Sequence, residues 1–125
     1  RIVVRKGARG WRVSGEMDGA TLELIEAGVL CSNAYVGQDG RPKGQPTECA
    51  ILSLALGIPR MLEDVGAKYV RIHEWPFSAE TRWMAVRVRD VVGSEFVIAK
   101  GAPEVIANEF CENTEASAAF LSDSA

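Results

Sequence analysis

Arg82-Trp83-Met84-Ala85-Val86-Arg87-Val88-Arg89 is the stretch that decides the fold class. Met84, Val86 and Val88 alternate with Arg87 and Arg89, and a period of two sends one face into a core and the other into water. Val91 to Gly93 supplies a turn, and Glu95 to Lys100 then gives a further extended run. Directly behind it Pro103 opens a closing helix, on which Ile106 and Phe110 lie one turn apart.

Upstream of this core, Lys68 to Ile72 begins another strand, and Met61 to Val65 suits a short helix. Pro46 starts a longer helix, because a first-turn residue has no use for the N–H that proline lacks, and Glu48 suits the positive helix end. Cys49 to Ile58 is almost entirely apolar, which predicts a buried helix ending around Gly57 and Pro59. Gln38 to Lys43, with Asp39-Gly40 and Pro42, reads as a turn-rich connector. Before it, Leu22, Ile25, Val29 and Val36 keep helical spacing and predict a helix from Thr21 to about Tyr35. Ile2 to Val4 and Trp11 to Val13, separated by Gly7, Ala8 and Gly10, predict a hairpin at the start. Strands, a run of helices, more strands and a last helix do not make a regular βαβ repeat. The order predicts an α+β fold, with a mainly antiparallel twisted sheet flanked by helices.

A chain of 125 residues holds one hydrophobic core rather than two, so residues 1–125 read as a single domain. With 47% hydrophobic and 25% charged residues its composition is that of an ordinary globular domain. The net charge of -3 makes no electrostatic case for nucleic acid or for an anionic membrane, and leaves a local basic pocket as the route to an anionic ligand. No apolar run approaches the roughly 20 residues that span a bilayer. The chain starts at Arg1 without a signal pattern and reads as a piece of something longer. Cys31, Cys49 and Cys111 are odd in number, widely spaced and accompanied by a single histidine, His73, which argues against zinc and against a disulfide framework and suits a reducing compartment.

Searches for known catalytic constellations find no G-x-x-x-x-G-K-[ST] loop, no G-x-G-x-x-G, no H-E-x-x-H and no G-x-S-x-G. His73, at an outer strand position, reads as a surface residue, which argues against acyl transfer by a Ser/His pair. Three short segments remain: Gly44-Gln45-Pro46-Thr47-Glu48, Pro76-Phe77-Ser78-Ala79-Glu80-Thr81-Arg82-Trp83-Met84, and Lys100-Gly101-Ala102-Pro103-Glu104. Each alone can be a helix start, a turn between strands, or a strand-to-helix junction.

In this order and spacing the three segments resemble the nucleotide-binding domain of a P-type cation-transporting ATPase, from about Thr21 to Glu112, with an acidic tail over 113–125. The similarity is greatest to the calcium and manganese pump branch. The resemblance implies ATP as ligand (Mg-ATP in a whole pump) and the phosphorylation, actuator and transmembrane domains of the same pump as partners. It implies no nucleic acid and no direct membrane contact for this segment, which would be a cytoplasmic domain of a membrane protein.

It also implies roles. Phe77 would lie against the adenine ring, where a flat apolar face is worth about 1–3 kcal/mol by analogy with base stacking. Glu48 would accept a hydrogen bond from the adenine amino group, a preference a carboxylate has because it offers no donor. Lys100 would line the pocket floor, and Gly101 would let the nucleotide approach the backbone. Arg82 stands where many family members have Lys, and its planar fork would hold phosphate oxygens. Ser78 and Met84 would border the pocket, although Met84 equally fits the core side of the alternation. Cys49 reads as a small buried hydrophobe.

The Asp-Lys-Thr-Gly-Thr loop that receives the phosphoryl group in such pumps is not in the sequence, and no Arg follows Arg89 to touch the phosphates further downstream. The first absence implies ATP binding without turnover, and the second implies that one phosphate contact of the family is missing here. The competing expectation is a protein-interaction module that keeps the fold and has lost the pocket.

Overall fold

The alternating stretch is a β-strand, in a computed structural model that describes residues 2–7, 10–15 and 19–110, and its outer face is only partly in water, since Ala85 is buried while Arg87 and Arg89 are exposed. In chain order the elements are β1 (Ile2–Gly7), β2 (Gly10–Gly15), α1 (Gly19–Leu30), β3 (Tyr35–Val36), β4 (Pro42–Lys43) and α2 (Pro46–Leu56). There follow α3 (Met61–Lys68), β5 (Tyr69–Trp75), β6 (Trp83–Asp90), β7 (Glu95–Gly101) and α4 (Pro103–Glu109). Helices with antiparallel strand pairs make this an α+β fold, as the element order predicts. The strands form three small sheets, β1-β2, β3-β4 and β5-β6-β7, rather than one. Cys111 and the acidic tail lie outside the described residues.

The chain divides into two compact units, residues 1–69 and 70–125. In the first, β1 and β2 form the antiparallel hairpin expected from Gly7 to Gly10, with Val4 opposite Val13. Helix α1 buries Ile25 and Leu30, and Cys31 follows at 1% exposure. It stops at Leu30, five residues short of the predicted end. Ser32 Oγ accepts the Ala34 N–H at 3.3 Å, and the Asn33 N–H is taken by a side chain, so the backbone there is bonded outside any helix. Tyr35 and Val36 pair instead with Lys43 and Pro42, which turns the predicted connector into a tight hairpin.

That hairpin is held at its tip. Gly37 N–H bonds Arg41 O at 2.8 Å, Gly40 takes φ 78°, and the Asp39 carboxylate accepts from the Arg41 N–H at 3.1 Å and from Lys43 Nζ at 3.2 Å. These bonds hold the Asp39 carboxyl below its ordinary pKa, the backbone donor of Arg41 most and the Lys43 side chain next.

Helix α2 starts at Pro46 as predicted and buries Glu48, Leu52 and Ala55, a stripe at i, i+4 and i+7. It is buried on that face alone: Ala50, Ser53 and Leu56 are exposed and Cys49 is half-buried, so the apolar run from Cys49 to Ile58 is not buried all round. An added methyl on Gly28 of α1 would lie 3.0 Å from Ile51 Cγ2 of α2, so the glycine admits its neighbour at close range. Helix α3, one turn longer than expected, buries Met61 and Val65, and its Lys68 reaches Glu26 of α1 at 3.5 Å.

In the second unit β6 lies between β5 and β7. Met84, Val86 and Val88 are buried, the last two completely, whereas Arg87 and Arg89 are exposed. At the β6–β7 turn the Asp90 carboxylate accepts the N–H of Val92 at 3.0 Å and of Ser94 at 2.9 Å, and Gly93 takes φ 92°. Helix α4 returns against the sheet, burying Ala107, and the Phe110 ring meets Trp83 edge-on at 5.3 Å. His73 is exposed on β5, as expected, with its ring 4.4 Å from that of Trp75.

Candidate functional site

Register brings four of the singled-out residues to one end of the second unit's sheet. Trp83 pairs with Gly101 and Met84 with Lys100, and Arg82 directly precedes Trp83. Phe77 and Ser78 lie on the segment that leads into β6. Phe77 is 61% exposed, an unusual state for a phenylalanine and one that leaves a flat apolar face at the surface.

Ser78 builds the turn that delivers the chain to β6. Its hydroxyl accepts the Thr81 N–H at 3.1 Å and shares a hydrogen bond with Thr81 Oγ1 at 2.8 Å, while its carbonyl accepts the Arg82 N–H at 2.8 Å. Arg82 closes the turn in the left-handed region, φ 60°, a conformation that costs a non-glycine residue of order 1 kcal/mol. Its carbonyl accepts the Ala102 N–H at 3.2 Å, and its guanidinium donates from Nη1 to Glu104 Oε1 at 2.9 Å. Both side chains of that ion pair are about half exposed.

Gly101 has a reason of its own in the chain. A methyl placed on it would lie 2.5 Å from Arg82 O and 2.9 Å from Trp83 Cα, so the β7 backbone needs a residue without a side chain to sit against the start of β6. Met84 is 4% exposed and belongs to the core side of the alternation. Lys100 is half-buried.

Glu48 belongs to the first unit, at the third position of α2, and is buried at 8% exposure. One of its carboxylate oxygens, Oε2, accepts the Asn33 N–H at 3.0 Å. A charged acceptor of this kind ties the segment after α1 to the first turn of α2 and makes Glu48 a folding residue as well as a candidate ligand. Glu104 belongs to the third of the short segments without a role of its own there, and Asn33 lies outside all three. The signal for Glu104 was an acid in the first turn of a helix; its partner lies 22 residues away and no local pattern shows it.

Among the described residues no group of three or more His, Cys, Asp and Glu could hold a metal ion, and no helix is long and apolar enough to cross a membrane. A cavity of about 230 Å³ at the junction of α2 and α3 is lined by Ile58, Pro59, Arg60 and Met61 among others, and by none of the residues singled out above.

Known proteins share this arrangement of sequence. The chain is 33% identical over 85 residues to calcium-transporting ATPase 1 of Lactococcus lactis, covering 68% of this chain and 10% of that protein. It is 42% identical over 65 residues to human calcium-transporting ATPase type 2C member 2, covering 52% and 7%. Against human calcium-transporting ATPase type 2C member 1 the figures are 36% over 75 residues, 60% and 8%. The chain thus spans a tenth or less of these relatives. The family model for the P-type ATPase cytoplasmic domain N matches residues 20–116, which takes in all three short segments and, Gly19 apart, the described elements from α1 to α4, and the chain belongs to that family.

Proposed function

We propose that this chain is the ATP-binding domain of a calcium- or manganese-transporting P-type ATPase, and that it holds the adenosine end of ATP while the γ-phosphate is passed to an aspartate in a separate phosphorylation domain. The observation that carries the reading is Phe77, 61% exposed on the segment leading into the same strand end that holds Arg82 and Lys100. An aromatic face in water, on a segment that leads to a strand end carrying two cations, is suited to a ligand that is flat at one end and anionic at the other.

In this reading Phe77 stacks on adenine and Arg82 and Lys100 face the phosphates; Glu48, in the first unit, is proposed on its own as an acceptor for the adenine amino group. Ser78 acts by shaping the turn that presents Phe77 and Arg82. Met84 and Gly101 act from behind, as core and as close strand contact. Magnesium would travel with the ATP phosphates in the whole pump. Phosphoryl transfer needs a positioned acceptor and metal-assisted charge stabilisation, so the chain by itself binds ATP and leaves it intact. Affinity of about millimolar order, near 4 kcal/mol, suffices when the domain is tethered to its partner and must release product after transfer.

The test is a titration of isotope-labelled protein with ATP and with adenosine, followed by amide shifts. Saturable shifts clustered at Phe77, Glu48 and Lys100 are expected, and Phe77→Ala should weaken both ligands by the same factor, about five- to a hundredfold if stacking is worth what it is for a nucleic-acid base. Absence of any saturable shift up to tens of millimolar ATP would refute the reading. A stable protein partner captured by a chain that ignores ATP would favour an interaction module instead.

A further inference from the structure

Arg82 is fixed through both of its backbone polar groups and carries one side-chain partner. Its N–H bonds the Ser78 carbonyl, its carbonyl takes the Ala102 N–H, and its guanidinium is engaged by Glu104 at 2.9 Å. The backbone is locked in a left-handed conformation, so the side chain leaves from a defined point and cannot be re-aimed by a small backbone shift. The ion pair, by contrast, is soft. Both partners are about half exposed, and exposed pairs of this kind are weak and sensitive to salt. A rigidly mounted cation carrying a weakly held carboxylate is a site for exchange: a more highly charged oxyanion takes the place of the carboxylate at the same fork.

We propose that Glu104 is the internal counter-ion of Arg82 and acts as a specificity-determining residue, occupying the guanidinium until a polyphosphate displaces it. The inference rests on the ATP-site reading above and deepens it. Glu104 touches no ligand and works through Arg82. Its effect is selective: it lowers affinity for every ligand that must displace it and is silent toward ligands with no phosphate, so it sets how far the domain distinguishes a polyphosphate from a bare nucleoside. After transfer, its return to Arg82 competes with the departing phosphates and hastens release.

The experiment measures ATP and adenosine affinity in the full chain by amide-shift titration for the natural protein, Glu104→Gln, Arg82→Gln and the double variant. Glu104→Gln is expected to tighten ATP about two- to fivefold, with the gain shrinking as salt is raised, and to leave the adenosine constant where it was. In the Arg82→Gln background the same change should give no gain. Unchanged ATP affinity in Glu104→Gln, with ATP still saturating the natural protein, would overturn the counter-ion role and leave the ATP site standing. A gain that persists without Arg82 would also overturn it, because plain repulsion between carboxylate and phosphate would then be sufficient. Failure of both ATP and adenosine to saturate the natural protein would remove the site reading and the inference together.

Discussion

Gly101 and Arg82 illustrate how one residue sets the conditions for another. The carbonyl of Arg82 occupies the space where a residue 101 side chain would begin, so the glycine is demanded by the strand contact before any ligand is considered. Gly101→Ala should therefore destabilise the protein by about 1–3 kcal/mol, the usual cost of forcing a methyl into filled space. Chemical denaturation measures it, and an unchanged midpoint would show that β6 and β7 can separate at this end without penalty. At this scale the sequence was partly legible. Phe77, Glu48, Lys100 and Arg82 could be singled out from short ordered motifs. The bond from Arg82 to Glu104 could not, since it depends on the register of β6 with β7 and on where α4 begins. Nor could the burial of Glu48 against Asn33, which depends on the exact end of α1.

Elements with strong periodicity were legible almost to the residue. The alternation of Met84, Val86 and Val88 is β6, Pro46 and Pro103 mark helix starts, and Gly57 ends α2. The error lay between Leu30 and Tyr35. Val36 continues the apolar spacing of Leu22, Ile25 and Val29, but spacing says nothing about whether the backbone donors have another use. Ser32 and Glu48 supply that use and end the helix early. Two-residue strands such as β3 and β4 are too short to carry a period, and their only trace was Asp39-Gly40. Asp39 makes this hairpin sensitive to pH. Its carboxyl titrates below the ordinary value in the folded chain, so its contribution to hairpin order is present above the unfolded carboxylate pKa and is lost as the pH falls through the lowered folded value. Titration of the Asp39 side chain by NMR should give a midpoint below that of an unstructured aspartate, and Asp39→Asn should abolish the acid-side change in the amides of Gly37 and Arg41. A normal midpoint would contradict it.

For the whole molecule, ligand binding and stability are linked. If the chain binds ATP with a millimolar constant, ATP at ten times that constant stabilises it by about 1.4 kcal/mol, enough to raise the melting temperature by several degrees, and adenosine at the same multiple of its own constant should do the same. Thermal unfolding with and without nucleotide measures this, and a melting temperature indifferent to saturating ATP would count against the proposed function. The class of fold and the family were legible from three motifs and their order, because their spacing follows from the elements that carry them. The division into three small sheets was not, since pattern identifies strands but not which neighbours they choose. One bond in the first unit offers a window on the proposed site that needs no substitution. The Asn33 amide proton is shared with Glu48, so its chemical shift registers how much electron density that carboxylate still has to give. An adenine amino group arriving at Glu48 would draw on the same density, and the Asn33 resonance would move upfield as it did so. A solvent-exposed asparagine with no part in the chemistry thereby becomes a spectroscopic gauge of whether the base is in place.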